Sequence, residues 1–278
     1  MLVKFYLFLF IFFSLVSCST DETLDVDYSM RSDTKIYNDA LNYLNDEKYE
    51  EAHELFTELD LQHPYSKWAT KGQLMSGFSL YKANKYDESI FVLNKFINLN
   101  PNNPKLDYAY YLKGYCYYER INQVSRDQKV AEKAYNSFKE LQNKFPNSIY
   151  SKKAKNHIAL LINQLAGKEM SVGKYYQTRG KFLAGILRYK TILRKYKNSA
   201  QIPEALYRII ECYLSIGLEP QAIKLAAILG YNYPSSKWYN DVFSLIKKNE
   251  IKFKTEDLRK KNLLDIEKIN IDDFSLER

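Results

Sequence analysis

Two apolar runs with helical spacing lie between residues 33 and 68 of the sequence. In each run the apolar side chains recur every three or four residues, the spacing of one face of an α-helix. The first run covers residues 36–44 and the second covers 49–59, with the polar stretch Asn45-Asp46-Glu47-Lys48 between them. Pro64 ends the second run, because proline lacks an amide donor and clashes with the preceding turn. The stretch therefore predicts two amphipathic helices joined by a short turn.

The same break in the helical pattern recurs at residues 64, 101, 146, 197 and 234, which we call the stops. Four stops are proline, and the fifth is Lys197. Two residues after each stop stands a side chain that is typical of a helix N-cap. These capping residues are Ser66, Asn103, Ser148, Ser199 and Ser236. Insertions make the intervals between stops unequal, but the shortest indicate a base period of about 35 residues.

A second register runs in step with the stops. Twelve residues before each stop stands a small residue: Ala52, Ser89, Ala134, Gly185 or Ala222. Four residues later there is usually a bulky one: Phe56, Leu93, Phe138 or Tyr189, with Ala226 as the exception. This pattern resembles the tetratricopeptide (TPR) repeat, in which the small residues allow two helices to approach closely. The sequence therefore predicts an all-α solenoid of five TPR-like helix-turn-helix repeats, with a C-terminal capping helix at about 236–249.

The third and fourth repeats are longer than the others. In the third, Gly114 and Ala134 are separated by eight residues more than the equivalent pair elsewhere. We expect these residues, around 122–129, to lengthen the turn, either as a contact surface or as a tolerated insertion. In the fourth repeat the helical pattern runs without a break over 152–178, which predicts an overlong first helix.

The N-terminal residues differ in kind from the rest. Lys4 is the only charge in residues 1–17, and the apolar run 5–17 is shorter than the roughly 20 residues of a membrane span. It fits the apolar core of a signal peptide. The segment Leu15-Val16-Ser17-Cys18 resembles a bacterial lipobox, which implies that Cys18 is lipidated and becomes the mature N-terminus. The alternative is an ordinary signal peptide followed by a chance cysteine. Ser19 then implies anchoring at the periplasmic face of the outer membrane of a Gram-negative bacterium.

These patterns divide the chain into four parts. We expect a lipoprotein signal peptide at 1–17, a lipidated cysteine and flexible acidic tether at 18–32, the solenoid at 33–249 and a charged tail at 250–278. The tail mixes charges with isolated apolar residues, so it is predicted to be a frayed helix or disordered. Only nine glycines and seven prolines agree with an all-helical chain.

The charge and the reactive residues do not indicate an active site. The net charge of +8 is typical of proteins that bind nucleic acid, but an exported lipoprotein meets none. We expect most lysines to lie on solvated helix faces and some to face acidic partners or anionic lipid headgroups. His53, His63 and His157 have no metal-ligand spacing, and no phosphate-binding loop is present. We therefore predict no catalytic residues, no cofactor and no metal. Cys116 and Cys212 are interpreted as small core residues without a disulfide.

Several phrases resemble one family of repeat proteins. The most specific is Glu169-Met170-Ser171-Val172-Gly173-Lys174-Tyr175-Tyr176, which is followed by Arg179-Gly180. Val124-Ser125-Arg126-Asp127 and Phe145-Pro146-Asn147-Ser148 also match. With the lipobox and the repeats, residues 15–240 resemble the BamD lipoprotein family of the outer-membrane β-barrel assembly (BAM) machinery. Lys197 departs from the family's usual proline.

The resemblance implies a non-enzymatic scaffold. The family binds periplasmic domains of the barrel-forming subunit BamA and works with other BAM subunits. It also helps to receive unfolded outer-membrane proteins, in part by recognising an extended C-terminal segment of theirs. A TPR groove suits such a segment. The alternatives are another periplasmic TPR lipoprotein, which scaffolds cell-wall enzymes or pilus assembly, and a helical cell-wall hydrolase, for which no residues are left over. Co-purification with BamA would separate them.

Two arginines are candidate partner-binding residues. Arg179 closes the long helix of the fourth repeat, and Arg188 follows in the next helix, where the family has an arginine that is important for contact with BamA. Guanidinium groups bind carboxylates in a bidentate geometry and suit interfaces better than lysine does. The alternative for Arg188 is an intramolecular ion pair with an acid of the fourth or fifth repeat.

Overall fold

The computed structural model describes residues 31–123 and 128–248, and these residues form helices without any strand. The eleven helices in them follow one another as five pairs and a final single helix. They are α1 Asp33–Asn45, α2 Tyr49–Gln62, α3 Lys67–Lys82, α4 Tyr86–Leu99, α5 Leu106–Gln123, α6 Gln128–Lys144, α7 Ile149–Thr178, α8 Phe182–Lys195, α9 Ile202–Ser215, α10 Glu219–Asn232 and α11 Lys237–Lys248. Each helix packs mainly on its neighbours in sequence. The predicted all-α, TPR-like solenoid with a last helix near 236–249 is confirmed.

Three of the five predicted capping residues, Ser66, Ser148 and Ser236, stand immediately before a helix, whereas Asn103 and Ser199 stand three residues before theirs, in the turn that precedes the helix. The side-chain oxygen of each of the five accepts a hydrogen bond from the backbone amide two residues later, and at the three N-caps this satisfies a donor that the helix leaves unpaired. The distances at Ser66, Asn103, Ser148, Ser199 and Ser236 are 3.1, 2.8, 3.0, 3.1 and 3.3 Å. Three of these hydroxyl groups also donate to the preceding first helix, on the acceptors Asp33, Asp107 and Asn163. The stops therefore join neighbouring repeats as well as start helices.

The small-to-large register lies in the core. The five small residues of the second helices are all buried, and so are the bulky residues four positions later. The glycines of the first helices face these bulky residues so closely that no Cβ fits. A Cβ on Gly77, Gly114 or Gly173 would lie 2.9, 2.7 or 2.3 Å from Leu93, Phe138 or Tyr189, respectively. Glycine is therefore required for the close approach of each helix pair.

The third repeat differs from the expectation that its extra residues lengthen the turn. Helix α5 continues nine residues beyond Gly114, whereas α3 ends five residues beyond Gly77. Helix α6 likewise begins six residues before Ala134, and α4 begins three before Ser89. Seven of the eight extra residues are thus helical, and residues 124–127 lie outside the described residues. The physical reason is burial, because these added turns bury Ile121, Val130 and Ala131.

Helix α7 is the overlong first helix that the sequence predicts. It begins at Ile149, three residues earlier than expected, and its 30 residues give a length of about 45 Å. Its first half contacts the third pair, since Tyr150 packs on Tyr108 of α5 and the His157 ring stacks on Phe138 of α6. Its second half packs on α8 through Gly173 and reaches α9, where Lys174 binds Glu204 at 2.6 Å. One helix therefore contacts four others.

The two cysteines of the solenoid are small core residues, as predicted. Cys116 and Cys212 are fully buried, and neither forms a disulfide. Burial raises the pKa of each thiol to about 12, so neither is poised to act as a thiolate at neutral pH. The signal peptide, Cys18 and the tail 250–278 lie outside the described residues and stay predictions. None of the described helices is long and apolar enough to cross a membrane.

Candidate partner-binding face

Arg179 stands where the backbone turns between α7 and α8. The turn needs a residue with positive φ, and Gly180 supplies it at φ 72°. The amide of Lys181 then donates to the carbonyl of Tyr176 at 2.9 Å, which closes the end of α7. Arg179 is exposed, and its guanidinium carbon lies 3.6 Å from the centroid of the Tyr175 ring. This stacking holds the planar cation at the surface with its donors available.

Arg188 lies on the outer surface of α8. Its Nη1 atom is 3.4 Å from Oε2 of Glu169 on α7, so the intramolecular ion pair that the sequence left open is present. The arginine side chain is 46% exposed, whereas that of Glu169 is 15% exposed. A pair at this distance, half in solvent, is weak. The guanidinium therefore retains access to a second carboxylate from outside.

Apolar side chains continue the same surface. Leu183 and Leu187, four residues apart on one face of α8, are 50% and 58% exposed. A shallow groove of about 270 Å³ lies beside them, lined by Tyr176, Ala184, Leu187, Arg188, Thr191 and Arg194. Tyr176 also contacts Tyr175 at 5.6 Å between ring centroids, which links the groove to the Arg179 stack. We call the surface formed by residues 175–194 of α7 and α8 the α8 face.

The α8 face is basic as well as apolar. Helix α8 contains two arginines and two lysines, of which Lys190 is buried, and no acidic residue. Exposed leucines flanked by arginine are a composition typical of protein interfaces, in which buried apolar area supplies affinity and arginine supplies orientation. The arrangement therefore fits a partner surface that is apolar at its centre and acidic at its edge.

A half-buried polar network lies beneath this face. The hydroxyl of Tyr189 on α8 donates to Oε1 of Gln177 at 2.7 Å, and Nε2 of Gln177 donates to Glu211 of α9 at 3.1 Å. Arg208 binds the same Glu211 at 2.8 Å. Burial raises the pKa of Tyr189, which keeps the hydroxyl protonated as a donor. Satisfied networks of this kind make the position of α8 relative to α7 and α9 well defined.

A second groove lies at the other end of the molecule. It has a volume of about 490 Å³, and α2 and α4 form its walls over α3. Phe91 stands at its edge and is 72% exposed. In the groove, Nδ1 of His53 is 2.7 Å from the hydroxyl oxygen of Ser76, and Lys95 binds Asp60 at 2.9 Å. Burial lowers the pKa of His53, so the imidazole is neutral near pH 7. Sequence spacing carried no signal for the pairing of His53 with Ser76, because the two residues are 23 positions apart.

The tyrosines of α5 separate onto two sides of the helix. Tyr110 is buried and receives a hydrogen bond from Lys144 at 2.6 Å. Tyr111, Tyr115 and Tyr118 lie half-buried on the other side and surround His157 of α7, with ring centroids 6.4, 5.3 and 4.7 Å from the imidazole. We call these four residues, the three tyrosines and His157, the aromatic shelf. Such a surface suits an extended apolar segment better than a charged ligand.

The described residues form no metal site. Among residues 31–123 and 128–248, no three His, Cys, Asp or Glu side chains are placed to hold a metal ion. His63 binds the backbone carbonyl of Arg31 at 2.7 Å, which ties the start of the solenoid to α2. Cys18 lies outside the described residues.

Comparisons with known proteins cover most of the chain. A family model described as "YfiO: Outer membrane lipoprotein" matches residues 30–228. "Outer membrane protein assembly factor BamD" of Caulobacter vibrioides is 38% identical over 241 residues, which are 86% of this chain and 79% of that protein. The protein of the same name from Rickettsia prowazekii is 39% identical over 212 residues, or 76% of this chain and 84% of that protein. The solved structure of a thermophilic TPR protein of Thermus thermophilus aligns with 77% of this chain and 98% of its own, at 16% identity and a TM-score of 0.35.

Proposed function

The chain belongs to the YfiO family of outer membrane lipoproteins, and on that basis we propose that it is a non-enzymatic scaffold of the BAM machinery. It is an outer membrane protein assembly factor, as its relatives are named. The alternatives of cell-wall or pilus scaffolding lose their support, because the relatives named as assembly factors are 38% and 39% identical over most of the chain. The α8 face is the single observation that carries the assignment of a partner, because it combines exposed leucines with cations and no acid.

We propose that the α8 face binds a periplasmic domain of BamA. Its leucines would cover an apolar area of that domain, and Arg188 would bind an acidic residue beside it. Such an interface gains affinity from the apolar centre and register from the charge. The support comes from one helix. Among the described helices, α8 combines exposed leucines with basic residues and contains no acidic residue.

The direct test is co-purification of BamA from detergent extracts with charge-reversed variants. Arg188→Glu should weaken binding by at least about tenfold, while helical circular dichroism and the melting temperature stay near those of the unchanged chain. Lys155→Glu, at an exposed position on the first half of α7, is the matched control and should bind normally. Normal binding by Arg188→Glu would move the contact elsewhere.

The ion pair with Glu169 needs its own control. Glu169→Gln removes the intramolecular acid and leaves the arginine in place. If Arg188 acts on the partner, Glu169→Gln should bind BamA as well as the unchanged chain or better. If the arginine acts only by joining α8 to α7, both substitutions should weaken binding alike.

We further propose that the chain is lipid-anchored through Cys18 at the periplasmic face of the outer membrane. Acyl chains contribute about 0.8 kcal/mol per buried CH₂ group, so two or three chains give essentially permanent attachment. Cys18→Ala should leave the protein unprocessed or soluble after cell fractionation. A variant that is still lipidated and sediments with outer membranes would contradict the lipobox assignment.

The aromatic shelf is our proposed site for unfolded outer-membrane protein segments. The tyrosines on α5 and His157 on α7 offer half-buried rings across two neighbouring first helices. An extended peptide with alternate apolar side chains gains contact from such rings without a folded partner surface. Tyr118→Ala should reduce crosslinking to an unfolded barrel segment and leave BamA co-purification unchanged. Loss of both would indicate general damage to the fold.

A further inference from the structure

Both tryptophans of the chain stand at the start of a helix in the same phrase, Ser-Lys-Trp. Trp68 begins α3 and Trp238 begins α11. Each ring packs on a tyrosine of an earlier helix, with 4.6 Å between the centroids of Tyr37 and Trp68 and 5.1 Å between those of Tyr207 and Trp238. A lysine lies over each indole as well. The two ends of the described solenoid therefore carry equivalent sites.

The surroundings of the two indoles differ in charge. At Trp238 the second cation is Arg208, 5.4 Å from the ring centroid, and Glu204 and Glu211 neutralise it. At Trp68 the second cation is Lys71, whose Nζ is 4.4 Å from the ring centroid. Helix α3 contains no acidic residue.

Both lysines beside Trp68 are exposed, and no ion pair recorded within residues 31–123 and 128–248 gives either of them an acidic partner. We call Lys67, Trp68 and Lys71 the Trp68 patch. It offers two cations and the rim of an indole to an acidic, partly apolar ligand. The equivalent site at Trp238 already has its acids within the fold.

The N-terminal segment joins the solenoid beside this patch. The hydroxyl of Ser66, which precedes Lys67, donates to the carboxylate of Asp33 at the start of α1. One residue earlier, Ser32 caps α1, and the guanidinium of Arg31 binds Glu58 of α2. Residues 31–33 are therefore held against α2 and against Ser66, the residue before Lys67. Residues 19–30 contain four acids and no lysine or arginine, with Leu24, Val26 and Tyr28 between or beside the acids.

We infer that the acidic segment Asp21–Asp27 binds the Trp68 patch of its own chain. Its carboxylates meet Lys67 and Lys71, and an apolar side chain lies against Trp68. Each exposed ion pair is weak, but covalent linkage through so few residues gives an effective concentration in the millimolar range, which populates weak contacts. The segment thereby occupies a site that an acidic extended partner would otherwise use, so it competes with such a partner.

Fluorescence of a single tryptophan tests the inference. Trp238→Phe leaves Trp68 as the only indole of the purified chain, and acrylamide, a neutral quencher, reports its shielding. Replacing the four acids, as Asp21→Asn, Glu22→Gln, Asp25→Asn and Asp27→Asn together, should raise the quenching constant about twofold, because the occupant leaves. Lys67→Ala with Lys71→Ala should have the same effect, and roughly 1 M salt should reproduce much of it in the unchanged tether.

Two matched controls use the chain itself. Trp68→Phe reports the equivalent Trp238, whose quenching should not respond to the tether substitutions. Asp265→Asn, Glu267→Gln, Asp272→Asn and Asp273→Asn remove the same four charges from the C-terminal tail and should leave Trp68 unchanged. The inference is overturned if tether neutralisation does not alter Trp68 or if the tail variant alters it equally. Shielding of Trp68 only by vesicles that contain phosphatidylglycerol would identify a bilayer as the occupant and would also overturn it.

Discussion

The second and fourth repeats expose an apolar side chain at the same register position, ten residues before the stop. Phe91 of α4 is 72% exposed and Leu187 of α8 is 58% exposed. Helix α4 begins with two acids and lines a groove that contains a neutral histidine, whereas α8 carries four cations and no acid. Two residues further along, Leu93 and Tyr189 are both fully buried.

This difference shows that the buried and the exposed positions of a repeat have different roles. The buried positions are nearly the same in both repeats, because a helix pair must interdigitate small and large residues to close. The outward positions are free of that constraint, so their charge decides which partner can bind. We call the buried positions, such as Leu93 and Tyr189, the inner register, and the exposed positions, such as Phe91 and Leu187, the outer register. The comparison therefore predicts that substitutions in the inner register change stability and that substitutions in the outer register change partner binding.

The largest expected effect is at the inner register of the second repeat. Leu93→Ala should lower the free energy of unfolding by about 2–5 kcal/mol, because it removes a fully buried side chain and leaves a cavity. Phe91→Ala, two residues away in the same helix, should change it by less than about 0.5 kcal/mol. Urea unfolding followed by circular dichroism measures both, and equal losses would mean that the inner and outer registers are assigned wrongly.

Substitutions of the first-helix glycines should show which of the two repeats has the closer helix packing. Gly173→Ala should lower the free energy of unfolding by about 1–3 kcal/mol, since its Cβ would overlap Tyr189, and Gly77→Ala should cost less because its Cβ approaches Leu93 less closely. Gly167 lies in the same helix as Gly173 but a Cβ there meets nothing within 4 Å, so Gly167→Ala should stabilise by up to about 1 kcal/mol. Thermal unfolding of the three variants decides the order, and a destabilising Gly167→Ala would count against the packing described for α7.

The smallest expected effect is a pH dependence of stability that arises from His53 in the groove between α2 and α4. Burial holds the pKa of His53 below that of an unfolded histidine, about 6.5, although Glu88 and Glu54 oppose the shift. Below pH 6.5 the unfolded chain therefore binds more protons at this histidine than the folded chain does. The free energy of unfolding consequently falls as the pH drops below about 6.5. Between about pH 7 and pH 5, His53→Gln should lose less stability than the unchanged chain. Parallel losses in melting temperature would show that His53 is not the titrating group.

The sequence predicted the inner register well because packing repeats with the period of the chain. The caps at Ser66 and Ser148, and the burial of Ala52 and Phe138, all follow from spacing alone. The extra residues of the third repeat were expected to lengthen the turn, but most of them extend α5 and α6, because helical continuation depends on which added side chains become buried.

The outer register was predicted less completely. The spacing did not reveal the pairing of His53 with Ser76 or the ring contacts of His157, which arise when distant segments pack. The ion pair of Arg188 was foreseen only as one of two alternatives, since several acids of the fourth and fifth repeats could have reached it. Exposed contacts depend on side-chain reach rather than on period.

The most direct test of the account compares the two outward positions in one experiment. A photocrosslinking amino acid is introduced at position 91 or position 187 of the chain in intact cells, and adducts with BamA are identified after irradiation. The α8 face predicts strong BamA adducts from position 187 and few or none from position 91. Adducts of equal strength from both positions, or adducts from position 91 alone, would contradict the assignment of the α8 face as the BamA contact.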